Sequence, residues 1–448
     1  MPAGSPAPIS CSAVPSAGPP VRSATRCRIC DRGYAMPVDH VTVGTEPPLA
    51  LDGFAEWIVQ RGLLGLPLED QLAGFCQRVH DAGLPMQRAN MGLATLHPRW
   101  GAHTFIWRPG FGAVERTPRD RSFQQLDAYR RSPAHYLRAR KESALRRRLD
   151  TGGPFDFPIL DELSAEGLTD YAARIVPYEP LTRRGPQGDS LNGIFFSCAT
   201  DRPEGFDGGQ LAQLDATLPY LALAIKARAT LDVAQTVVET YLGADAGRRV
   251  LTGEIQRGAV QTIRAVIWFC DLRGFTRLSD SVPRDELVEL LDDYFDALAA
   301  PVHDHGGQIL KFLGDGFLAT FDLTGHDDQA ACVSALKAAT ELRDRLPRFN
   351  ASRLAAGKPV MDFGLAVHLG DVLYGNIGTD DRLDFTVVGP AVNEASRIQA
   401  LCRPLGRNVL ISSAFSRIAR DCRQTLKSIG LHEVPDLDEP RELFVLAD

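Results

Sequence analysis

Two aspartates, Asp271 and Asp315, stand where the chain could bring a pair of carboxylates together. Asp271 ends the apolar run Ala265-Val-Ile-Trp-Phe-Cys270, short enough for a fully buried strand, and Leu272-Arg-Gly-Phe-Thr276 follows. Asp315 lies in Gln308-Ile-Leu-Lys311-Phe-Leu-Gly-Asp315-Gly-Phe-Leu-Ala-Thr-Phe321, where Gly-Asp-Gly between two apolar stretches predicts a hairpin. If that hairpin pairs with the first strand, the carboxylates lie side by side. They then repel unless a cation holds them. A hard divalent ion with oxygen ligands, Mg²⁺ or Mn²⁺, is the natural occupant, and such ions also hold phosphates. Either aspartate alone reads as an ordinary strand-end or turn residue. The combination of Asp271-x-x-Gly-Phe-Thr with Lys311-x-x-Gly-Asp at this spacing favours the metal.

Other elements must hold this pair in place. Leu287, Leu290, Leu291, Tyr294, Phe295 and Leu298 recur at helical spacing, with Pro283 near the start and Gly306-Gly307 as the stop. Downstream, helices are predicted over Asp327–Leu346 and Gly389–Leu401. Strands are predicted over Val360–His368, Leu383–Val388, Asn408–Ser412 and Glu442–Leu446. Alternating strands and helices with a hairpin predict an α+β domain, a mixed sheet covered by helices on one or both faces. Asn393 and Arg397 lie four apart on one predicted helix and share a face.

The stretch Arg264–Phe321 resembles the catalytic domain of class III nucleotidyl cyclases, the adenylate and guanylate cyclases. The resemblance runs on through Asp362-Phe-Gly-Leu-Ala-Val-His-Leu-Gly-Asp371, Gly375-Asn-Ile-Gly378 and Asp384-Phe-Thr386-Val-Val-Gly-Pro-Ala-Val-Asn393-Glu-Ala-Ser-Arg397. It covers about residues 250–448. It implies a mixed sheet with a ferredoxin-like core. It also implies two Mg²⁺ or Mn²⁺ ions held by Asp271 and Asp315, with the Leu272 carbonyl as an added ligand. Asn393 would orient the ribose, and Arg397 would stabilise the α-phosphate. Lys311 and Thr386 would read the base: the ammonium donates to adenine N1, and the hydroxyl accepts from the exocyclic amine. This Lys/Thr pair is similar to one adenylate-forming subclass, some of whose members respond to bicarbonate, so the expected substrate is ATP and the product cyclic AMP. The family's sites form between two catalytic domains, which implies a homodimer.

The resemblance has two departures. Gly389-Pro390 stands where the family often has Gly-Asp, and Pro at a helix start is well tolerated. The segment Leu431–Leu437 lacks the lysine that many members offer to the triphosphate, leaving Arg382 or His432 as replacements. Three competing readings are weighed. A guanylate cyclase would tend to carry Glu in place of Lys311. A non-catalytic, nucleotide-responsive module would have lost part of the residue set. A diguanylate-forming enzyme would lack the Asn-x-x-x-Arg helix.

The chain has 448 residues, 44% hydrophobic and 23% charged, room for two or three domains. A net charge of −7 argues against general nucleic-acid or anionic-lipid affinity. No apolar run reaches the ~20 residues of a membrane span, and the first thirty residues lack a signal peptide's apolar core, so the expectation is cytoplasmic. Residues 1–48, rich in Pro, Ser, Ala and Gly, read as a disordered tail, and Met36 offers a second start. The nine cysteines are dispersed, and Cys27-Arg-Ile-Cys30 has no second ligand pair nearby, which argues against a disulfide framework or a zinc site.

Residues 49–230 are expected to form a regulatory domain. Its predicted helices are Leu66–Leu84, Arg130–Leu149 and Phe206–Ala229; its predicted strands are Gln87–Leu96, Ala102–Trp107, Thr169–Pro177 and Leu191–Ala199. The basic cluster Arg146-Arg-Arg148 reads as a solvated helix face. Trp100, Phe105, Trp107 and Phe111 read as core, or as the lining of a ligand pocket. The order of elements, with Phe195-Phe-Ser-Cys-Ala-Thr-Asp-Arg-Pro-Glu-Gly-Phe206 before the last helix, resembles a GAF-like α/β sensor of an unidentified small molecule. Leu231, Ala234, Val238, Tyr241 and Leu242 continue the apolar stripe, so residues 231–258 read as a helical linker into a catalytic domain at 259–448.

Overall fold

The computed structural model describes residues 53–178, 193–280, 282–321 and 327–447. The expected tail, Cys27 and Cys30, and the first two residues of the strand expected at Leu191 lie outside them. All described residues belong to one compact unit, Leu49–Asp448.

The first half runs α1 (Phe54–Leu63), α2 (Leu68–Asp81), β1 (Arg88–Ala94), β2 (Trp100–Trp107), β3 (Glu115–Asp120), α3 (Asp127–Arg130), α4 (Pro133–Arg140), β4 (Ala144–Arg148), α5 (Pro158–Ala165), β5 (Asp170–Pro177), β6 (Gly193–Thr200) and α6 (Gly208–Leu242). Its strands form one antiparallel sheet in the order β3-β2-β1-β6-β5-β4. Strand alternation sends Met91, Leu93, Phe105, Trp107, Ile194 and Phe196 to a core shared with α1, α2 and α6. The other face packs Leu145, Tyr171, Ile175 and Phe195 against Leu137, Leu160 and Leu163.

The helix expected over Arg130–Leu149 breaks in two. Helix α4 ends at Lys141, a non-glycine residue at φ 58, and Ala144–Arg148 then pairs with β5 as a strand. Sheet pairing overrides helix propensity here. The three arginines are ion-paired rather than solvated on a helix: Arg146 with buried Asp170 (2.6 Å), Arg147 with Asp156 (2.7 Å) and Arg148 with Asp150 (2.5 Å). Of the four aromatics, Phe105 and Trp107 are buried in the helix-covered core, while Phe111 is exposed.

Helix α6 runs unbroken for 35 residues to Gly243, opened by a capping box between Asp207 and Gln210. The chain turns there into α7 (Ala244–Leu251). The second half continues with β7 (Val260–Arg273), α8 (Phe275–Ser279), α9 (Arg284–Asp304), β8 (Gln308–Leu313), β9 (Gly316–Phe321), α10 (Asp328–Ala355), β10 (Asp362–Gly378), β11 (Leu383–Val388), α11 (Pro390–Ala400), β12 (Val409–Ser412), α12 (Ser413–Ile418), β13 (Leu426–His432) and β14 (Arg441–Leu446). The strand order is β13-β14-β12-β10-β7-β9-β8, with β11 on β10. Strands β10 and β12 are parallel and the other pairs antiparallel, so the sheet is mixed. Val266, Trp268, Cys270 and Leu272 face the core of α9 and α10, whereas Ala265 and Ile267 face α7 and α11. Both faces of β7 are therefore covered, which is why its sequence reads as a continuous apolar run.

Candidate active site

Strand β7 carries Asp271 to its C-terminal end, and the β8–β9 hairpin carries Asp315 at its turn. The register pairs Asp271 with Gly316, and the Leu272 N–H donates to the Asp315 carbonyl at 3.1 Å. The hairpin expected from Gly-Asp-Gly thus brings the two aspartates together. Burial pushes the Asp271 carboxyl up to about 6, with the neighbouring Asp315 charge adding to it and Arg273 and Gln399 opposing. A cation beside the pair would offset both the burial of this carboxylate and its repulsion by Asp315. Among the described residues no third carboxylate, histidine or cysteine completes a metal cluster. Two aspartates and a backbone carbonyl suit a Mg²⁺ or Mn²⁺ ion that takes its remaining ligands from phosphate and water.

Gln399, which sequence reasoning missed, sits directly against this pair. It is buried on α11, and its amide donates to Asp271 Oδ1. The approach is possible because residue 364 is glycine: a Cβ there would stand 2.7 Å from Gln399 Nε2 and 3.1 Å from Asp271 Oδ1. The available signal was a polar residue on the otherwise apolar face Ala391, Ala395, Ile398 of a helix.

Asn393 and Arg397 also lie on α11. At about 100° per residue, Arg397 lies roughly 160° and Asn393 roughly 120° around the helix from Gln399, so both point away from the side on which Gln399 meets Asp271. Arg397 is half-buried and pairs with Asp436, 3.5 Å from its carboxylate. Asn393 is exposed. One chain therefore does not bring the aspartate pair and the Asn393–Arg397 pair onto the same surface.

Lys311, on β8, and Asp384, on β11, form an ion pair at 2.7 Å, and the ammonium holds the Asp384 carboxyl below its usual range. Thr386 follows two positions along β11 and shares that face, largely buried. The structure thus brings Lys311 beside the strand that bears Thr386, with Asp384 as a partner the sequence reading had not assigned. Of the proposed phosphate substitutes, Arg382 is 86% exposed and sits 3.7 Å from Asp384. The His432 ring lies 3.1 Å from the Ile429 carbonyl.

Residues 259–446 match the protein-family description "Adenylate and Guanylate cyclase catalytic domain". An adenylate cyclase of Anabaena cylindrica is 38% identical over 167 residues, 36% of this chain and 32% of that protein. Adenylate cyclase 1 of Rhizobium meliloti is 31% identical over 159 residues, 36% of this chain and 23% of that protein. The chain thus spans a third or less of the length of these curated relatives. Among solved structures, the adenylyl cyclase CyaB from P. aeruginosa is 25% identical, covering 42% of this chain and 96% of that one at a TM-score of 0.38. The guanylyl cyclase Cya2 is 27% identical, covering 42% and 93%, also at 0.38. Residues 259–446 are thus similar to adenylate and guanylate cyclase catalytic domains.

Proposed function

We propose that the chain is an adenylate cyclase that converts ATP into 3′,5′-cyclic AMP and pyrophosphate at sites shared by two copies. The ribose 3′-oxygen forms a bond to the α-phosphorus as the bond to pyrophosphate breaks, and the 3′-hydroxyl loses its proton. Asp271 and Asp315, with the Leu272 carbonyl, hold Mg²⁺ or Mn²⁺, which supplies positive charge for the phosphates and the attacking oxygen. Arg397 offers a permanently charged donor fork to the α-phosphate, and Asn393 orients the ribose. Lys311 donates to adenine N1 and Thr386 accepts from its amine. For Lys311 to meet a base it must exchange Asp384 for that base.

The observation that carries this reading is the arrangement around α11. One helix touches the aspartate pair with Gln399 and turns Asn393 and Arg397 away from it, which supports a site completed by a second chain. Residues 49–230 are read as the regulatory domain, 231–258 as the linker and 259–448 as the catalytic domain. Among the described residues no helix is long and apolar enough to cross a membrane. The test is turnover of ATP and of GTP by the purified chain, with Mg²⁺ and with Mn²⁺. Cyclic AMP as the dominant product supports the proposal. Cyclic GMP formed as fast at equal subsaturating substrate would overturn the choice of base, and no cyclic product from either would overturn the activity.

A further inference from the structure

The sheet of the first half treats its two faces differently. Strands β1, β2 and β6 turn large side chains toward α1, α2 and α6. Toward the other face they turn the short side chains Asn90, Gly92, Ala94, Ala102, Thr104 and Ser197, with Arg88, Ile106 and Phe195 as the larger ones at its margin. Helices α3, α4 and α5 cover that face without filling it. A cavity of about 440 Å³ remains between them, in the size range of small-molecule sites. Tightly packed interiors do not leave such a volume by default. The aromatics Phe105 and Trp107 lie on the opposite face and take no part in it.

The polar groups of the wall say what would fit. Asn90 Oδ1 on the floor is shielded from solvent and has no hydrogen-bond partner among the described residues. A buried acceptor left unpaired costs roughly 1–3 kcal/mol, which a ligand N–H or O–H would recover. Arg138 of α4 reaches the wall and donates to the Tyr129 hydroxyl at 2.9 Å, with no carboxylate at ion-pair distance among the described residues. The other arginines of the wall are engaged: Arg88 with Glu166 at 3.4 Å, and Arg119 with Thr104 Oγ1 at 3.2 Å. The one acidic side chain of the wall, Glu162, is exposed. Phe123, Leu126, Tyr129 and Ile159 supply an apolar roof.

We propose that this cavity binds a small aromatic acid, its ring system between the roof and the small-residue floor, its N–H or O–H on Asn90 and its anionic group on Arg138. The site stands independently of the catalytic reading.

The test uses the full chain and two dyes of one skeleton. 1-Anilinonaphthalene-8-sulfonate has the arene, one N–H and an anion; N-phenyl-1-naphthylamine has the same arene and N–H without the charge. Fluorescence titration is expected to show saturable binding of the sulfonate at one site per chain, about tenfold tighter than the neutral dye. Arg138→Gln should remove that difference. Gly92→Leu should abolish binding of both dyes. A Cβ at position 92 meets only Phe195, at 3.6 Å, so the added side chain enters the cavity without disturbing the backbone. Circular dichroism and the thermal midpoint establish that each variant is folded, and Thr104→Leu serves the same purpose should Gly92→Leu fail. Unaltered binding in the folded cavity-filling variant, or no saturable binding by the parent, overturns the site. An unaltered preference for the sulfonate in Arg138→Gln overturns the acidic class.

Discussion

Asp271 is a carboxylate that the fold makes uncomfortable. Its pKa is raised from 3.8 to about 6, so the folded chain holds that proton more tightly than the unfolded chain does. Stability is accordingly lost as pH rises from about 4 through 6, and above that the whole penalty is present. Asp271→Asn should therefore raise the thermal midpoint of metal-free protein at pH 8 and leave it nearly unchanged at pH 4. The gain should be on the order of 1 kcal/mol once solvent screening of this half-exposed group is allowed for. Mn²⁺ should stabilise the parent and not the variant. Melting curves at the two pH values, with and without Mn²⁺, check all three statements. Lys311 makes a second prediction. Adenine presents an acceptor at N1 and guanine a donor, so Lys311→Glu should cut ATP turnover by about one to two decades more than GTP turnover. Equal losses on both substrates would remove Lys311 from base reading.

Helix α11 is the element on which the site's parts converge. Its inner face places Gln399 on Asp271, so loss of that amide should loosen the carboxylate. Gln399→Ala should weaken Mn²⁺ binding by roughly tenfold, the usual effect of losing a group that orients a ligand. Gln399→Glu should instead strengthen it, because a third carboxylate beside the pair adds negative charge that the cation offsets. Electron paramagnetic resonance titration of Mn²⁺ reads this without turnover, and unchanged affinity in both variants would leave Gln399 a packing residue. This contact could not have been read from the chain, because it depends on the register of β10 against β7 and on the absence of a Cβ at Gly364. The hairpin could be read, since Gly-Asp-Gly between apolar stretches carries its own turn chemistry. Both strand faces of β7 being buried was equally visible as an apolar run. The Arg146–Arg148 strand was hidden because its side chains favour helix locally, and only its partner β5 makes it a strand. Strand β13 was missed because its alternation is weak: Lys427, Ser428 and Gly430 interrupt it.

The whole assembly is expected to be a pair of chains. A chain carrying Asp271→Ala, mixed with one carrying Arg397→Ala, should regain activity, because one of the two shared sites is then built from intact halves. With random pairing the recovery should be about a quarter of the parental rate. Dead mixtures in which the two chains demonstrably associate would exclude sharing. Connection to the first half runs through α7. Asp245 accepts from the Tyr374 hydroxyl of β10 at 2.9 Å and pairs with Arg249 at 2.9 Å, while Asn376 of β10 donates to the Glu254 carbonyl at 2.6 Å. Strand β10 in turn pairs with the strands that bear Asp271 and Thr386.

The continuity of α6 has a consequence for engineering the chain. An unbroken helix behaves as a shaft: each residue added to it advances the far end by about 1.5 Å and turns it by about 100°. Beyond the first sheet its side chains Leu231 and Tyr241 are 61% and 82% exposed, so inserted residues meet few packing obstacles there. Insertions after Thr230 should therefore affect cyclic AMP production by angular phase more than by length. One or two added residues should uncouple the halves, and seven, close to two full turns, should restore coupling. Turnover measured across a ladder of one to seven inserted alanines would show a period if the shaft is rigid and a monotonic decline if it is not.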